Sequence, residues 1–151
     1  IMPISNVTWY DVKSFCRWIG ARLPYEAEWE YAAKTSEQNK YSWGNDEVGG
    51  NYKGENDQYD EIAPIYSFKP NSLGLYNMCG NVWEWCEDWY DPGYYKVSPP
   101  ENPQGPSSGS SKVIRGGSYK DTIKYLTTTI RGAINPYSAL INVGFRIVID
   151  G

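Results

Sequence analysis

Apolar and polar residues alternate with the period of a helix near the start of the chain. Four apolar residues lie three or four positions apart and would share one helix face: Val12, Phe15, Cys16 and Ile19. Thr8 and Asp11 have the spacing of a capping box just before this run. Gly20 follows the run and can adopt the left-handed conformation that ends many helices. The pattern predicts a first helix that begins after Thr8 and stops at Gly20.

A second helix is predicted from about Pro24 to about Ala33. Proline is common in the first turn of a helix, where its missing N–H is not needed. Glu26 and Glu28 fall in the same turn, where the helix dipole favours acidic side chains. The residues after Ala33 lack a helical pattern, so the helix is expected to end there.

Short alternating stretches predict β-strands, and long polar stretches separate them. Residues 82–86 alternate along the chain, and residues 113–115 and 145–149 are short strand candidates near the C-terminus. Residues 35–75 and 91–111 are punctuated by Gly, Asn, Asp, Ser and Pro and are predicted to be loops. Loops of this length in a compact domain are usually functional or are organised by another agent, such as a metal ion.

The composition narrows the class of protein. The chain has 14 Tyr, 7 Trp, 15 Gly and 10 Pro but only 3 Phe, a mixture that suits a loop-rich fold with hydrogen-bonded aromatic side chains. Its 151 residues predict a single domain spanning residues 1–151. The net charge of −4 and the lack of a basic run argue against a nucleic-acid partner. No stretch approaches the ~18 apolar residues of a membrane span.

The cysteine and histidine counts exclude several kinds of catalysis. The sequence has no His, which rules out a Ser–His or Cys–His pair within it and disfavours an ordinary zinc site. Its 3 Cys residues are Cys16, Cys79 and Cys86, so at least one has no partner within the chain. A disulfide between Cys79 and Cys86 is geometrically unfavourable, because the two flank a predicted strand. Cys16 is expected to be a small buried hydrophobe.

Three stretches of the sequence carry distinctive motifs. They are VTWYDVKSFCRWIGARLPYEAEWEYAA (residues 7–33), PNSLGLYNMCGNVWEWCEDWY (70–90), and KVIRGGSY (112–119) with GFRIV (144–148). In order and spacing they resemble the formylglycine-generating enzyme family, also called the sulfatase-modifying factor family. The resemblance covers nearly the whole chain, although the part of the family domain that usually precedes residue 1 is absent. It implies an α+β, C-type-lectin-like fold, loop-rich, with two helices and short antiparallel strands.

The resemblance also implies two calcium sites in the loops, since calcium prefers six to eight oxygen ligands. The first would use the side chains of Asn51 and Asp57 and the carbonyl groups of Tyr52 and Tyr59. The second would use the side chains of Asn77 and Glu84 and the carbonyl groups of Gly80 and Val82. The family usually has a longer insert between the residues at Asn51 and Asp57, so Asn51 departs from its pattern. Alternatively, these Asn and Asp residues simply form turns.

The residues of the family's oxidase chemistry are replaced. Family enzymes oxidise a substrate cysteine to formylglycine with two cysteines that bind copper(I), a metal that soft thiolates select. The matching positions after GGSY are Asp121 and Leu126, and neither side chain can form a copper thiolate. Some members also pair a cysteine at the Cys16 position with one at the position of Ile147, a disulfide that cannot form here. Copper is therefore not an expected cofactor.

The leading hypothesis is a pseudoenzyme, a non-catalytic module that binds a protein or small ligand. In the family, the region that corresponds to residues 120–142 builds the functional face. The predicted binding face comprises Ser118, Asp121, Tyr125, Thr127, Thr129, Asn135 and Tyr137. The alternative for most of these residues is that they form ordinary strands and turns.

Three other functions stay open at this point. The first is a formylglycine-generating oxidase or related oxidoreductase that takes soft ligands from elsewhere. The second is a variable binding protein of a diversity-generating retroelement, since such proteins use this fold and vary this C-terminal region. The third is a subunit of a larger assembly, for which the aromatic side chains of residues 87–95 would supply an interface. The compartment is not fixed, with a cell-surface or extracytoplasmic location slightly favoured.

Overall fold

The computed structural model describes residues 1–36, 38–54 and 57–151. Within these residues the helices are α1 (Trp9–Ile19) and α2 (Glu26–Lys34). The strands are β1 (Trp83–Trp89), β2 (Lys112–Arg115), β3 (Arg131–Ile134) and β4 (Val143–Gly144). Two short 3-10 helices, Tyr94–Lys96 and Ile123–Tyr125, lie in the connections. The structure is the loop-rich α+β fold that the sequence predicts.

The predicted first helix is confirmed together with both of its ends. The Thr8 hydroxyl accepts a hydrogen bond from the Asp11 backbone N–H at 3.0 Å, and the Asp11 carboxylate accepts one from the Thr8 N–H at 2.9 Å. This reciprocal pair is a capping box. Gly20 follows the last turn with φ of 73°, a left-handed conformation that glycine adopts without steric cost.

Helix α2 begins at Glu26, so the prediction that it begins near Pro24 was wrong by two residues. The N-cap residue, Tyr25, is extended and supplies no side-chain cap. The cap comes instead from Asp88 of β1, whose Oδ2 accepts a hydrogen bond from the Glu26 N–H at 2.7 Å. A carboxylate at this end of a helix is stabilised by the helix dipole. The sheet thus fixes where α2 starts.

The strands form a four-stranded sheet in the order β3-β2-β1-β4. The pairs β1/β2 and β2/β3 are antiparallel, whereas β4 runs parallel to β1. The predicted strand at 82–86 corresponds to β1, which extends further, and the one at 113–115 corresponds to β2. The predicted strand at 145–149 was wrong: only Val148 makes an isolated bridge, to Arg22, because Arg146 turns toward Glu84 in the interior.

Three buried clusters make the core, and each contains one cysteine. The first lies between α1 and the sheet and includes Cys16. The second lies beneath α2 and includes Cys86, and the third joins loop residues and includes Cys79. All three thiols are buried and free, which confirms that Cys79 and Cys86 form no disulfide. Among the described residues, no helix is long and apolar enough to span a membrane.

Candidate functional site

The Asp121 carboxylate is held by hydrogen bonds from two neighbouring motifs. Its Oδ2 accepts from the Trp83 indole Nε1 at 2.8 Å, from the Ser118 hydroxyl at 2.6 Å and from the Ser118 N–H at 3.0 Å. The Asn142 side-chain amide donates in turn to the Ser118 hydroxyl at 3.0 Å. The Asp121 carbonyl accepts from the Lys53 N–H at 2.8 Å. Asp121 therefore links four segments of the fold.

Leu126 is fully buried, at 0% exposure. It follows the 3-10 helix Ile123–Tyr125 and packs in the third core cluster with Tyr41, Tyr52 and Cys79. A Cβ added at Gly117 would lie 2.8 Å from a Leu126 methyl group, so the glycine permits this close approach. Asp121 and Leu126 are thus both integrated into the scaffold.

The thiols of the chain lie elsewhere and are not poised for copper. Burial raises the pKa of the Cys79 thiol to about 11, and it raises the pKa values of Cys16 and Cys86 as well. A thiol with a raised pKa is protonated at neutral pH and is a poor ligand and nucleophile. Within the described ranges, no three His, Cys, Asp or Glu side chains meet in a way that could hold a metal. These residues do not fit a copper(I) centre.

The first predicted calcium site contains a buried acceptor without a donor. Asn51 is 1% exposed, and its side-chain amide donates to the Glu61 carbonyl at 2.7 Å and to the Asn81 Oδ1 at 3.2 Å. Its Oδ1 is buried and has no hydrogen-bond partner among the described residues. Leaving such an oxygen unsatisfied is unfavourable, and a cation would satisfy it. Asn51 therefore fits a calcium ligand despite its unusual spacing.

The other residues of this first set lie in the adjoining loop. Tyr52 is largely buried, and its hydroxyl donates to the Glu47 carbonyl. The Asp57 Oδ1 accepts from the Tyr59 N–H at 2.8 Å, which is an Asx turn. Asp57 and Tyr59 therefore belong to the same turn. That Asp57 and Tyr59 converge on Asn51 stays a prediction.

The carboxylate of the second predicted calcium site, Glu84, is already paired with an arginine. Both Glu84 oxygens accept from Arg146, at 2.6 and 2.7 Å, and Oε2 also accepts from the Trp29 indole at 2.7 Å. The Asn77 amide donates to the Ile65 carbonyl at 2.8 Å, which leaves its oxygen for another partner. Gly80 and Val82, whose carbonyl groups are the other predicted ligands, lie just before β1. A cation at this second set would have to share the Glu84 carboxylate with Arg146.

Asn81 is a structural centre that sequence reasoning missed. Its side chain pairs with both the N–H and the carbonyl of Ala63, at 2.9 and 3.0 Å, and accepts from Asn51. Its backbone N–H donates to the Asn51 carbonyl, and its carbonyl accepts from the Tyr119 N–H, both at 2.9 Å. Its φ of 70° is left-handed, which asparagine tolerates better than most residues. The only signal in the sequence was its position within the GNVWEW motif.

The residues of the predicted binding face differ in their exposure and in their contacts. Tyr125, Thr129, Asn135 and Tyr137 are exposed, and Asp121 and Thr127 are half-buried. Ser118 is fully buried and supports Asp121 from the interior. Tyr137 packs against Tyr10 of α1, with ring centroids 4.8 Å apart. Thr129, whose hydroxyl oxygen lies 3.5 Å from that of Thr127, also lines a cleft along α2.

This cleft, here named the α2 cleft, has a volume of about 640 Å³. Its lining includes Glu30, Tyr31, Leu73, Tyr95, Thr129 and Arg131. The residues come from α2, the loop before β1, the loop after β1, and the start of β3. A cleft of this size falls within the range of small-molecule sites, about 300–1,000 Å³.

A buried network of ion pairs lies beneath the α2 cleft. Glu26 is 1% exposed, and its carboxylate accepts from Arg131 at 2.7 and 2.9 Å and from Arg115 at 2.8 Å. Arg115 also donates to Glu30 at 2.6 Å. The Tyr95 hydroxyl donates to Glu26 at 3.2 Å, and burial raises the pKa of Tyr95 well above its usual range. The arrangement holds the lining side chains in fixed positions.

Comparison with known proteins agrees with the fold and the motifs. All of residues 1–151 match the family described as Sulfatase-modifying factor enzyme 1-like domain, and the chain belongs to this family. It is 39% identical to a formylglycine-generating enzyme of Streptomyces coelicolor over 165 residues, covering 98% of the chain and 52% of the enzyme. The chain thus spans about half the length of the curated relatives it matches.

Solved structures show the same C-type-lectin-like fold. The variable protein 1 of Treponema denticola superposes with a TM-score of 0.87 at 29% identity, covering 97% of this chain and 70% of that one. PvdO of Pseudomonas aeruginosa superposes with a TM-score of 0.83 at 26% identity, covering 97% of this chain and 61% of that one.

Proposed function

We propose that this chain is a non-catalytic member of its family that acts as a ligand- or protein-binding module. The observation that carries the proposal is the state of the two positions where the resemblance expects catalytic cysteines. Asp121 accepts three hydrogen bonds from Trp83 and Ser118, and Leu126 is a buried part of the core. The thiols of the chain are buried in three separate clusters, so two of them cannot meet around one copper ion.

The competing function is a formylglycine-generating oxidase, which the names of the sequence relatives favour. An assay of the purified chain, supplied with copper(I), on a Cys-x-Pro-x-Arg peptide separates the two. We expect no formylglycine by mass spectrometry, whereas an active relative assayed in parallel converts the peptide. Conversion that survives replacement of all three cysteines by serine would show that other residues catalyse the reaction. Conversion that requires a cysteine would equally refute the proposal.

Calcium is proposed as the stabilising cofactor of this module. Asn51, Tyr52, Asp57 and Tyr59 would hold it at the first set, and Asn77, Gly80, Val82 and Glu84 would hold it at the second. The support is the buried Asn51 Oδ1, which lacks a hydrogen-bond partner among the described residues. Bound calcium would neutralise the carboxylates of the loops and tie these loops together. No catalytic step is assigned to it.

Thermal unfolding with and without a chelator tests the calcium proposal. A ligand that binds only the folded state stabilises it by about 2.7 kcal/mol at 100 times its Kd, so chelation is expected to lower the melting temperature by several degrees. Asn51→Ala is expected to remove most of this response, and Glu84→Gln tests the second set in the same way. Identical melts with calcium and chelator, with no heat in a calorimetric titration, would contradict the proposal.

A second candidate function is a variable binding protein of a diversity-generating retroelement. The similarity to Treponema denticola variable protein 1 favours it. The test is the DNA that flanks the coding sequence, together with sequencing of residues 120–142 across a population of cells. A neighbouring reverse transcriptase, a template repeat and variation confined to this region would support it. Their absence would leave a binding module of fixed sequence.

A further inference from the structure

We infer that the α2 cleft binds the ring of a neutral carbohydrate. The inference rests on the proposed binding function, and it assigns to that function a place and a ligand class. It departs from the predicted binding face, because Thr129 is the one member of that face that lines the cleft.

The apolar part of the cleft is exposed, and hydrogen bonds tie together the backbone segments that carry it. Tyr31 of α2 is 81% exposed, and Leu73 of the facing loop is 56% exposed. Asn71 ties this loop to the helix: its side-chain amide donates to the Ala32 carbonyl at 2.8 Å, and its Oδ1 accepts from the Leu73 N–H at 3.0 Å. Backbone segments that are already ordered before binding lose little entropy when a ligand docks.

Of the charged side chains that line the cleft, Arg131 and Glu30 have ion-pair partners inside the protein, and Lys34 also has an interaction partner. Arg131 donates from Nε and Nη2 to Glu26 and from Nη1 to the Asp91 carbonyl. Glu30 is paired with Arg115. A charged ligand would have to compete with these internal partners, so the cleft is better suited to an uncharged one.

Both groups nevertheless keep hydrogen-bonding capacity for hydroxyl groups. A guanidinium has five N–H donors, of which Arg131 uses three in the contacts above, and a carboxylate has about four acceptor positions. The Thr129 hydroxyl can donate and accept. A ligand that presents several neutral hydroxyl groups therefore matches the polar part of this cleft.

A pyranose ring combines these two requirements. One of its faces presents aliphatic C–H groups, which pack on an aromatic ring such as Tyr31, while its rim presents hydroxyl groups. An extended peptide matches the polar part of the cleft less well, because its main chain presents amide groups rather than several neutral hydroxyl groups.

A glycan array followed by calorimetric titration of the hits tests this inference on the whole chain. The array carries neutral, sialylated and sulfated glycans, and a peptide library is screened in parallel. We expect binding to neutral glycans and a loss of affinity of about tenfold or more for Tyr31→Ala. Thr129→Val is expected to weaken binding by a smaller factor, because one hydroxyl partner is lost.

Trp18→Ala is the matched control, because Trp18 on α1 is also an 81% exposed aromatic residue but does not line the cleft. It is expected to bind neutral glycans like the unmodified chain, and the thermal melts of both variants show whether they are folded. Binding to acidic glycans alone, binding to neither glycan class, or equal affinity of Tyr31→Ala and Trp18→Ala would overturn the inference. Peptide binding that is lost in Tyr31→Ala would overturn it while leaving the proposed binding function in place.

Discussion

Two regions of the molecule are built in opposite ways. The first surrounds Asp121 and Leu126. The second is the α2 cleft, which Thr129 and Arg131 line a few positions further along the chain. At the first, one oxygen of the Asp121 carboxylate accepts hydrogen bonds from Trp83 and Ser118, and Leu126 is fully buried. At the second, Tyr31 remains exposed, and the buried ion pair of Glu26 and Arg131 lies beneath it. The first region is closed and the second is open.

The difference indicates which of the two regions could offer a surface to a ligand. A region that takes up hydrogen bonds and apolar contacts internally contributes stability and offers little to a ligand. A region whose charges are paired but whose aromatic side chains are exposed offers contact area without an unpaired charge. The resemblance to the family predicts a functional site at the first region, whereas side-chain exposure and charge pairing favour the second.

The largest expected effect comes from the floor of the cleft. Arg115→Met leaves the half-buried Glu30 without its ion-pair partner and the buried Glu26 with Arg131 alone, so the free energy of unfolding is expected to fall by about 3–5 kcal/mol. Arg22→Met is the control, since Arg22 makes more exposed ion pairs and should cost about 0–1 kcal/mol. Urea unfolding measures both. Equal losses would show that the network does not hold the cleft in place.

A pair of leucine substitutions contrasts the two regions directly. Leu126→Ala removes a fully buried side chain and should lower the free energy of unfolding by about 3 kcal/mol. Leu73→Ala, in the open region, should change it by less than about 0.5 kcal/mol, because Leu73 is 56% exposed. Similar values for the two variants in urea would contradict the closed-versus-open distinction.

The pH dependence of stability reports on Asp88, which caps α2 beneath the cleft. Burial raises the pKa of this carboxyl from its ordinary value of 3.8 to about 6. Between these values the folded state holds a proton that the unfolded state has lost, so the free energy of unfolding falls as the pH rises from about 4 to about 6. The contribution is at most about 3 kcal/mol.

Asp88→Asn isolates this contribution, because the amide cannot titrate. The difference in free energy of unfolding between the variant and the unmodified chain should change across this pH range and be constant above about pH 7. Urea unfolding at several pH values measures it. A constant difference at every pH would show that Asp88 titrates normally.

The smallest predicted loss in free energy of unfolding is at Asp121, whose hydrogen bonds link segments of the closed region. Asp121→Ala leaves the Trp83 indole N–H and the Ser118 hydroxyl without their acceptor, which should cost about 1–2 kcal/mol. Asp46→Ala, at an exposed position, is the control and should be nearly neutral. A loss no greater than that of the control would mean that Asp121 is not a structural link.

Local features of the fold could be predicted from the sequence, whereas features made by distant segments could not. The capping box at Thr8 and the stop at Gly20 are encoded within the helix they bound, and both were predicted. The start of α2 was misplaced because its cap, Asp88, lies 62 residues further along the chain. Strand β3 escaped prediction because it contains Gly132, a residue usually depleted in strands.

The same distinction between local features and features made by distant segments applies to the candidate site. The motif after GGSY indicated that Asp121 and Leu126 could not bind copper, but not that both are integrated into the scaffold. The role of Gly132 is tertiary: a Cβ there would lie 2.7 Å from the Ile114 side chain. The α2 cleft needs Tyr31, Leu73 and Thr129 from three separate segments, so no pattern in one stretch could reveal it.

A copper(I) titration of the intact chain against a chromogenic competitor, under anaerobic conditions, tests the central claim most directly. The claim is that Asp121 and Leu126 are structural residues and that the three thiols are inaccessible. We predict that the competitor retains the copper, and that replacing all three cysteines by serine leaves the titration unchanged. Tight binding of one copper ion by the folded chain, lost in the cysteine-free variant, would contradict the account.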